Sequence, residues 1–342
     1  ILSEFEEVKQ LITLFLVRKE SFSQQLAILH NWVQLVQIIV SDGNLGERKR
    51  STFILEVFDM VTPKISVYVD IDVKFAEELV SLMVFLFHIY NQSNASSSGK
   101  YFLDSKLHNL FQVCIRGISS PLSSLKLRSD FYVIANNYLL RVLKNSGMAY
   151  AIVKDLRLNN ERLVEVICND AIYGEGAIKI TGLLLLDSLV QLGNHHQENF
   201  IVMTLMRSTK LFHIIRSLKA TDSLLNASTE NVNVENFLYE LTAFKATAYF
   251  LIRIAETREG AVALIESKVF DILAELNFLK IDPDLGLELV FDETSNNTSS
   301  LLRVNITFDE PLILGKEATS VSIFELIIPI FQLMLAIVIS SG

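Results

Sequence analysis

The chain has 342 residues, half of them hydrophobic and 20% charged, with a mean hydropathy of +0.37. That is enough apolar side chain to bury a large core, and it excludes intrinsic disorder. Thirty Lys and Arg against 39 Asp and Glu give a net charge of −9 and a pI near 5.3, the wrong sign for a surface that tracks nucleic-acid phosphates, so direct nucleic-acid binding is not expected. The 13 Gly and 5 Pro are too few for the turns of a sandwich or barrel and point to long helices.

Helix signals begin at once. Ser3-x-x-Glu6 and Ser21-x-x-Gln24 have capping-box spacing, in which the hydroxyl accepts a backbone N–H and the later side chain returns to the cap. Two helices are expected, roughly over 4–17 and 22–41. In the second, Leu26, Leu29, Val33, Val36 and Val40 form one apolar stripe, and Ile28, Trp32, Leu35 and Ile39 form another. Those two stripes predict cover on two sides, and Asp42-Gly43 ends the helix. The basic run Arg48-Lys49-Arg50 opens a further helix and reads as an exposed face.

Over 70–90, Leu79, Val80, Leu82, Met83, Val84, Phe85, Leu86, Phe87 and Ile89 leave almost no polar face, which places this helix in the middle of a stack. After a low-complexity loop from Asn91 to Lys100, helices are expected at about 101–118 and 121–144, with Pro121 suited to the first helical position. Further helical patterns run over about 148–156, 160–170, 177–192, 198–218 and 234–257. Leu183 to Leu186 and Leu189 make the third of these apolar around most of its circumference. Lys219 to Asn236 and Asp292 to Ser300 read as long loops, and Arg303 to Phe308 as an extended or hairpin excursion. Ser322-x-x-Glu325 opens the last helix with another capping box.

Its apolar run, Leu326 to Ile339, contains Pro329 and Gln332 and is shorter than the roughly twenty residues of a membrane span, so a core helix is expected and membrane insertion is not. No alternation of strands with helices occurs. Many of the helices are apolar on two faces, as required when each pair packs on the pair before and the pair after. The expected fold is therefore all-α, an α-solenoid of degenerate HEAT- or armadillo-like repeats. Residues 1–342 read as one continuous segment: helical repeats over 1–218, a loop over 219–236, an armadillo-like repeat over 237–291, an irregular insert over 292–316 and a final helix over 317–342. The start at Ile1 suggests a piece of a longer polypeptide.

Motifs that carry chemistry are sparse. Cys114 and Cys168 sit in apolar helical stretches without a Cys or His at ligand spacing, and read as buried thiols in a reducing compartment. The sequons at Asn94, Asn226 and Asn297 lack an accompanying signal peptide and read as chance occurrences in Asn/Ser-rich loops. His30, His88, His108, His195, His196 and His213 contain no i, i+4 pair, so solvated loop histidines are expected in place of a metal site, with His88 a core or groove residue. Gly174-x-Gly176 resembles the start of a dinucleotide fingerprint, but Lys179 stands where the third glycine belongs, and the pair reads as a flexible helix entry. Gly315-Lys316 lacks the upstream glycine of a phosphate-binding loop. Glu6-Glu7 and Glu77-Glu78 are expected on solvated polar faces near helix starts.

One stretch says more. Phe244-Lys245-Ala246-Thr247-Ala248-Tyr249-Phe250-Leu251-Ile252-Arg253-Ile254-Ala255-Glu256-Thr257-Arg258-Glu259-Gly260-Ala261 continues through Leu264-Ile265-Glu266-Ser267 to Ile272-Leu273-Ala274-Glu275. This is a long helix, a tight corner and two short helices, with Gly260 and the alanines permitting close approach. With Phe278 and Ile281-Asp282-Pro283-Asp284, it resembles the carboxy-terminal half of the large inner-ring scaffold nucleoporins of the nuclear pore complex. Ile328-Pro329 and Phe331-Gln332-Leu333 in the last helix resemble the same family more loosely. The match covers about 241–291 and 317–340. The resemblance implies an α-helical superhelix without catalysis, cofactor or small-molecule substrate. It also implies an architectural role at the nuclear envelope, binding helical or extended motifs of disordered linker nucleoporins in surface grooves and supporting nucleocytoplasmic transport. No partner-binding motif of the family maps onto this sequence, so no binding residues are assigned, and the matched segment reads as packing. A soluble HEAT or armadillo adaptor, such as a nuclear transport receptor or trafficking scaffold, is the alternative that uses the same physics.

Overall fold

The computed structural model describes residues 6–11, 22–42, 46–92, 100–143, 146–158, 161–226, 234–280, 287–292, 301–306, 320–322 and 324–342. Residues 1–138 and 139–342 form two compact units. The class is all-α and solenoid-like, and each unit shows how helix stacking produces it.

The first unit holds α1 (Phe22–Asp42), α2 (Glu47–Tyr68), α3 (Val73–Gln92), α4 (Lys100–Ile118) and most of α5 (Leu125–Val142). Alternate helices pack in two layers, α1 with α3 and α2 with α4, and α2 meets α3 across the layers. Lys106 of α4 pairs with Asp59 of α2, and Arg116 further along α4 pairs with Ser66 and Asp70. The contacts advance in the same sense along both helices, so α2 and α4 run parallel, the arrangement that repeated helix pairs generate. The all-round apolar α3 lies between α1 and α2, as expected, burying Leu79, Val80, Met83, Leu86 and Phe87.

Two local expectations change. On α1 the stripe of Leu29, Val33, Val36 and Val40 is buried, but the second stripe is only partly covered and Leu35 is exposed, because the principal neighbour among the described elements is α3 alone. Pro121 does not start a helix: it lies in a turn, and Ser124 caps α5, its Oγ accepting from Leu127 N at 3.1 Å. The proposed caps at Ser3 and Ser21 lie outside the described residues.

The second unit contains α6 (Ser146–Leu158), α7 (Glu161–Tyr173), α8 (Ala177–His195), α9 (Phe200–Arg207), α10 (Lys210–Arg216), α11 (Leu218–Asn226), α12 (Val234–Ala255), α13 (Arg258–Glu266) and α14 (Val269–Ala274). A 3₁₀ turn follows over Asn277–Lys280, and α15 (Phe324–Ser341) closes the unit. Helix α12 packs between α8 and α15 and also meets α11 and α13. The helix expected over 198–218 is divided: Thr209 takes a left-handed φ of 59° between α9 and α10, and the chain turns again at Ser217, whose Oγ donates to the Ile214 carbonyl at 2.6 Å.

The stretch read as a loop from Lys219 begins instead as α11. Its Asp222 is buried and accepts from Asn277 N (2.9 Å), Phe278 N (3.0 Å) and Asn277 Nδ2 (3.0 Å). A carboxylate from one helix thus caps a turn 55 positions later. After that turn and before α15, β1 (Leu287–Asp292), β2 (Leu301–Ile306) and β3 (Ser320–Ser322) form an antiparallel sheet in the order β2-β1-β3, with Leu287 opposite Ile306 and Glu288 opposite Ser322. The extended excursion read around Arg303 is β2, and β1 precedes it by starting at Leu287.

The corner after α12 is set by close approach. Thr257 caps α13, its Oγ1 accepting from Gly260 N at 3.1 Å. A Cβ on Gly260 would stand 1.8 Å from the Ile254 carbonyl oxygen, inside the van der Waals contact of backbone atoms, and no side-chain rotation relieves it. Gly260→Ala should therefore destabilise the second unit by about 2 kcal/mol or more. Val262→Ala, at an exposed site two residues further on, should stay within about 0.5 kcal/mol. Urea unfolding of the two variants checks the difference.

Candidate interaction surfaces

Much of the run from Phe244 to Leu264 is interior structure. Phe244, Ala248, Phe250, Leu251, Ile254, Ala255, Ala261 and Leu264 are buried, which agrees with the packing reading. At its end Arg253 Nε donates to Asp187 Oδ1 of α8 at 3.3 Å and Nη1 to Glu256 Oε1 at 2.7 Å, while Asn194 Nδ2 donates to the Arg253 carbonyl at 3.1 Å. Burial raises the pKa of Asp187; the Arg253 charge and hydrogen bond oppose the rise, and Glu256 adds to it. The Arg253 group locks the corner and offers no open site.

Two surfaces stand apart from that interior. The first is the outer face of α15. Leu326, Ile327, Ile330, Leu333 and Ile337 are buried, and the helix packs on α12 and α13. Phe324, Ile328, Phe331, Leu335 and Val338 remain exposed, Phe331 by 58% and Leu335 by 60%. Their alternating spacing of four and three residues is the seam that presents knobs to a facing helix. The expectation of a core helix thus holds for one face only, since apolar composition does not say which faces find neighbours. Among the described residues α15 is the helix long and apolar enough, by length and composition, to cross a membrane. Glu325, expected to close a capping box, pairs instead with Lys245 of α12.

The second surface is a groove of about 390 Å³ between α2 and α4, lined by Asp59, Thr62, Pro63 and Ser66 on one side and Lys106, Asn109, Gln112, Val113 and Arg116 on the other. The sequence reading missed it. A signal was present in Pro63, which sits inside α2, but a groove requires the neighbouring helix, and no local pattern identifies that neighbour.

The other candidates resolve residue by residue. Cys114 and Cys168 are buried, unpaired thiols. Burial raises both pKa values; for Cys168 the value reaches about 12, with Lys210 lowering it and Glu165 raising it. The histidines lie on or beside helices and not in loops. His30 Nδ1 meets Glu78 Oε2 at 3.1 Å, His108 Nδ1 meets the Tyr138 hydroxyl at 3.0 Å, and the His196 ring lies 6.2 Å from that of Tyr150. His88 is exposed and not a core residue. His195 and His213 fall in the last turns of α8 and α10. Among the described residues no three His, Cys, Asp or Glu converge as metal ligands.

Gly176 holds a positive φ of 63° at the start of α8, and Lys179 beyond it is buried 3.7 Å from Glu240 of α12. The glycine pair is a helix entry with a packing role. Gly315 and Lys316 lie outside the described residues. Glu77 corrects the solvated reading of Glu77-Glu78: it is buried, with Oε1 2.5 Å from Ser124 Oγ and Oε2 3.2 Å from Lys74 Nζ.

A chain whose described interior residues fix helix against helix, and whose described surface includes an apolar seam and a groove, belongs to the class of helical scaffolds. The sequence model of the family described as nuclear pore complex scaffold, nucleoporins 186/192/205, matches residues 1–342, and the chain belongs to that family. Nucleoporin NUP192 of Chaetomium thermophilum is 22% identical over 332 residues, an alignment that covers 82% of this chain and 19% of that protein. The chain thus spans about a fifth of the length of this curated relative. Membership makes it a structural nucleoporin scaffold of the nuclear pore complex. The family resemblance read on 241–291 and 317–340 extends over the whole chain.

One buried acid gives the first unit a pH dependence. Asp130 has a buried Oδ2 without a hydrogen-bond partner. Burial raises its pKa from 3.8 to about 6; Lys126 opposes the shift and Glu77 reinforces it. Because the folded value lies above the unfolded one, the native state takes up a proton on acidification. The cost of the charge is absent below about pH 4 and complete above about pH 6. Asp130→Asn should remove this slope and stabilise the protein at pH 7 by roughly 1 kcal/mol after allowance for solvent screening. Urea unfolding between pH 4 and pH 7.5 provides the check.

Proposed function

We propose that this chain belongs to a non-catalytic structural subunit of the inner ring of the nuclear pore complex. In this reading it holds helical or extended motifs of disordered linker nucleoporins against its surface and so supports nucleocytoplasmic transport. The observation that carries this reading is the exposed seam of α15. Five large apolar side chains in a 4-3-4-3 spacing suit a partner helix, and their area drives association once both faces leave water. Family membership supports a nucleoporin as that partner.

The test is affinity purification of the full-length protein from gently lysed cells, with mass spectrometry of stoichiometric partners at moderate and high salt. Inner-ring and linker nucleoporins should persist at high salt, because apolar contacts are not screened. Phe331→Asp combined with Leu335→Asp, both at exposed sites, should lower linker recovery at least about tenfold through loss of central apolar contacts. Recovery of a small GTPase and cargo without pore scaffold components would contradict the proposal and favour an adaptor.

A further inference from the structure

We propose that the basic run at the start of α2, Arg48, Lys49 and Arg50, is a docking site for a short acidic segment of a partner protein. The site lies in the first unit and recognises its ligand by charge, so it goes beyond the reading of the α15 seam and does not depend on it.

Helix α2 opens after Gly46, which supplies no side-chain cap. Glu47, Arg48, Lys49 and Thr52 are exposed, and Arg50 is half-buried. Among the described residues none of the three cations has an ion-pair partner, and the buried Nε of Arg50 has no hydrogen-bond partner. Elsewhere in the same unit cations are matched: Lys74 meets Glu77, Lys106 meets Asp59 and Arg116 meets Asp70. The nearest acids along α2 leave the run unmatched. Glu47 forms no ion pair among the described residues, and Glu56, about two turns further on, is engaged by Lys9 at 3.4 Å. Cations in a first turn stand at the positive end of the helix dipole and oppose helix formation, where Ser, Asp or Glu would favour it. A local rule broken without internal compensation is expected where function supplies the compensation, here an anionic partner.

The neighbouring helix adds to the charge. Helices α2 and α4 run parallel, and the contact of Lys106 with Asp59 sets 47 positions between residues side by side. That register brings Lys100, the first residue of α4, level with Phe53, about 7.5 Å along the axis from Arg48. The residues leading into α4 from 93 to 99 include no Asp or Glu. From Asp42 to Thr52, together with Lys100, the sequence places Arg48, Lys49, Arg50 and Lys100 against Asp42 and Glu47, a local positive excess on a chain of net charge −9.

Successive helical positions point about 100° apart, and long side chains lean back toward the N-terminus. The three cations of α2 therefore surround the start of the helix and do not line one side of it. This suits a flexible segment with adjacent carboxylates more than a helix that presents acids on one face. A guanidinium takes a carboxylate through two parallel N–H contacts, which would give the Arg50 Nε its missing acceptor. Duplex nucleic acid or an anionic bilayer would also meet the rest of an acidic molecule and be repelled, whereas a short acidic segment meets the basic run alone.

The probe is fluorescein-labelled hexaglutamate, titrated with the full-length protein by fluorescence anisotropy. It should bind at about 50 mM salt and lose at least about fivefold in affinity at about 300 mM, because exposed charges are screened. Hexaglutamine should not bind. Arg48→Glu combined with Lys49→Glu should weaken binding at least about tenfold. The same variant should keep or raise the thermal midpoint, since acids then stand at the helix start. Lys154→Glu combined with Arg207→Glu, at exposed sites in the second unit, changes the net charge equally and should leave the affinity within about twofold. No binding of hexaglutamate, or equal weakening by the two double variants, would overturn the site. Phosphatidylserine vesicles or duplex DNA that bind more tightly than hexaglutamate, and release on Arg48→Glu with Lys49→Glu, would overturn the choice of ligand.

Discussion

Helix α12 buries most of its circumference, leaving Tyr239 and Tyr249 on an exposed stripe, and the second unit is arranged around that packing. Packed between α8 and α15, it buries Phe244, Ala248, Phe250, Leu251, Ile254 and Ala255. Its alanines let neighbouring backbones approach. Its polar groups are committed as well: the buried Thr247 hydroxyl donates to the Ala243 carbonyl at 2.7 Å, Glu240 meets Lys179, Arg253 meets Asp187, and Lys245 meets Glu325. The contacts of Glu240 and Arg253 advance in the same sense along α8, so α8 and α12 run parallel, as α2 and α4 do in the first unit. The tight corner at Gly260 follows from the same crowding, since the chain must turn directly against the end of the helix it has just left.

Stacking of this kind directs apolar residues inward on each helix in succession and leaves function to whatever remains outside. On α15 the remainder is the exposed apolar seam of Ile328, Phe331, Leu335 and Val338. In the first unit it is a groove beside Pro63 of α2, where Lys106 and Arg116 of α4 bridge to α2. Neither feature resembles a catalytic centre. The seam has the apolar area to meet another helix.

The sequence made the class of fold legible because helix packing is written in apolar periodicity. The all-round apolar α3 had to be central, and the Ala and Gly positions between Phe244 and Ala261 read as packing, as Ala248, Ala255 and Ala261 are. Contacts between distant residues were not legible. Glu77 is indistinguishable by sequence from its solvated neighbour Glu78 until Ser124 is brought beside it. Asp222 reads as a loop residue until Asn277 and Phe278 present their amides. The breaks at Thr209 and Ser217 carry no Gly or Pro, so a single helix was the natural expectation there. On α15, two opposite faces are equally apolar in sequence, and only the packing distinguishes the buried Leu333 from the exposed Leu335.

Hydrogen exchange followed by mass spectrometry on the full-length protein tests most directly whether α12 is the element on which the second unit depends. Amides open in cooperative groups, and those released only by global unfolding exchange last. Within residues 139–342, peptides covering 241–255 should exchange slowest, with those of α8 beside them, and the short helices α10 and α14 should exchange earlier. Exchange of 241–255 as fast as that of α10 or α14 would contradict the account.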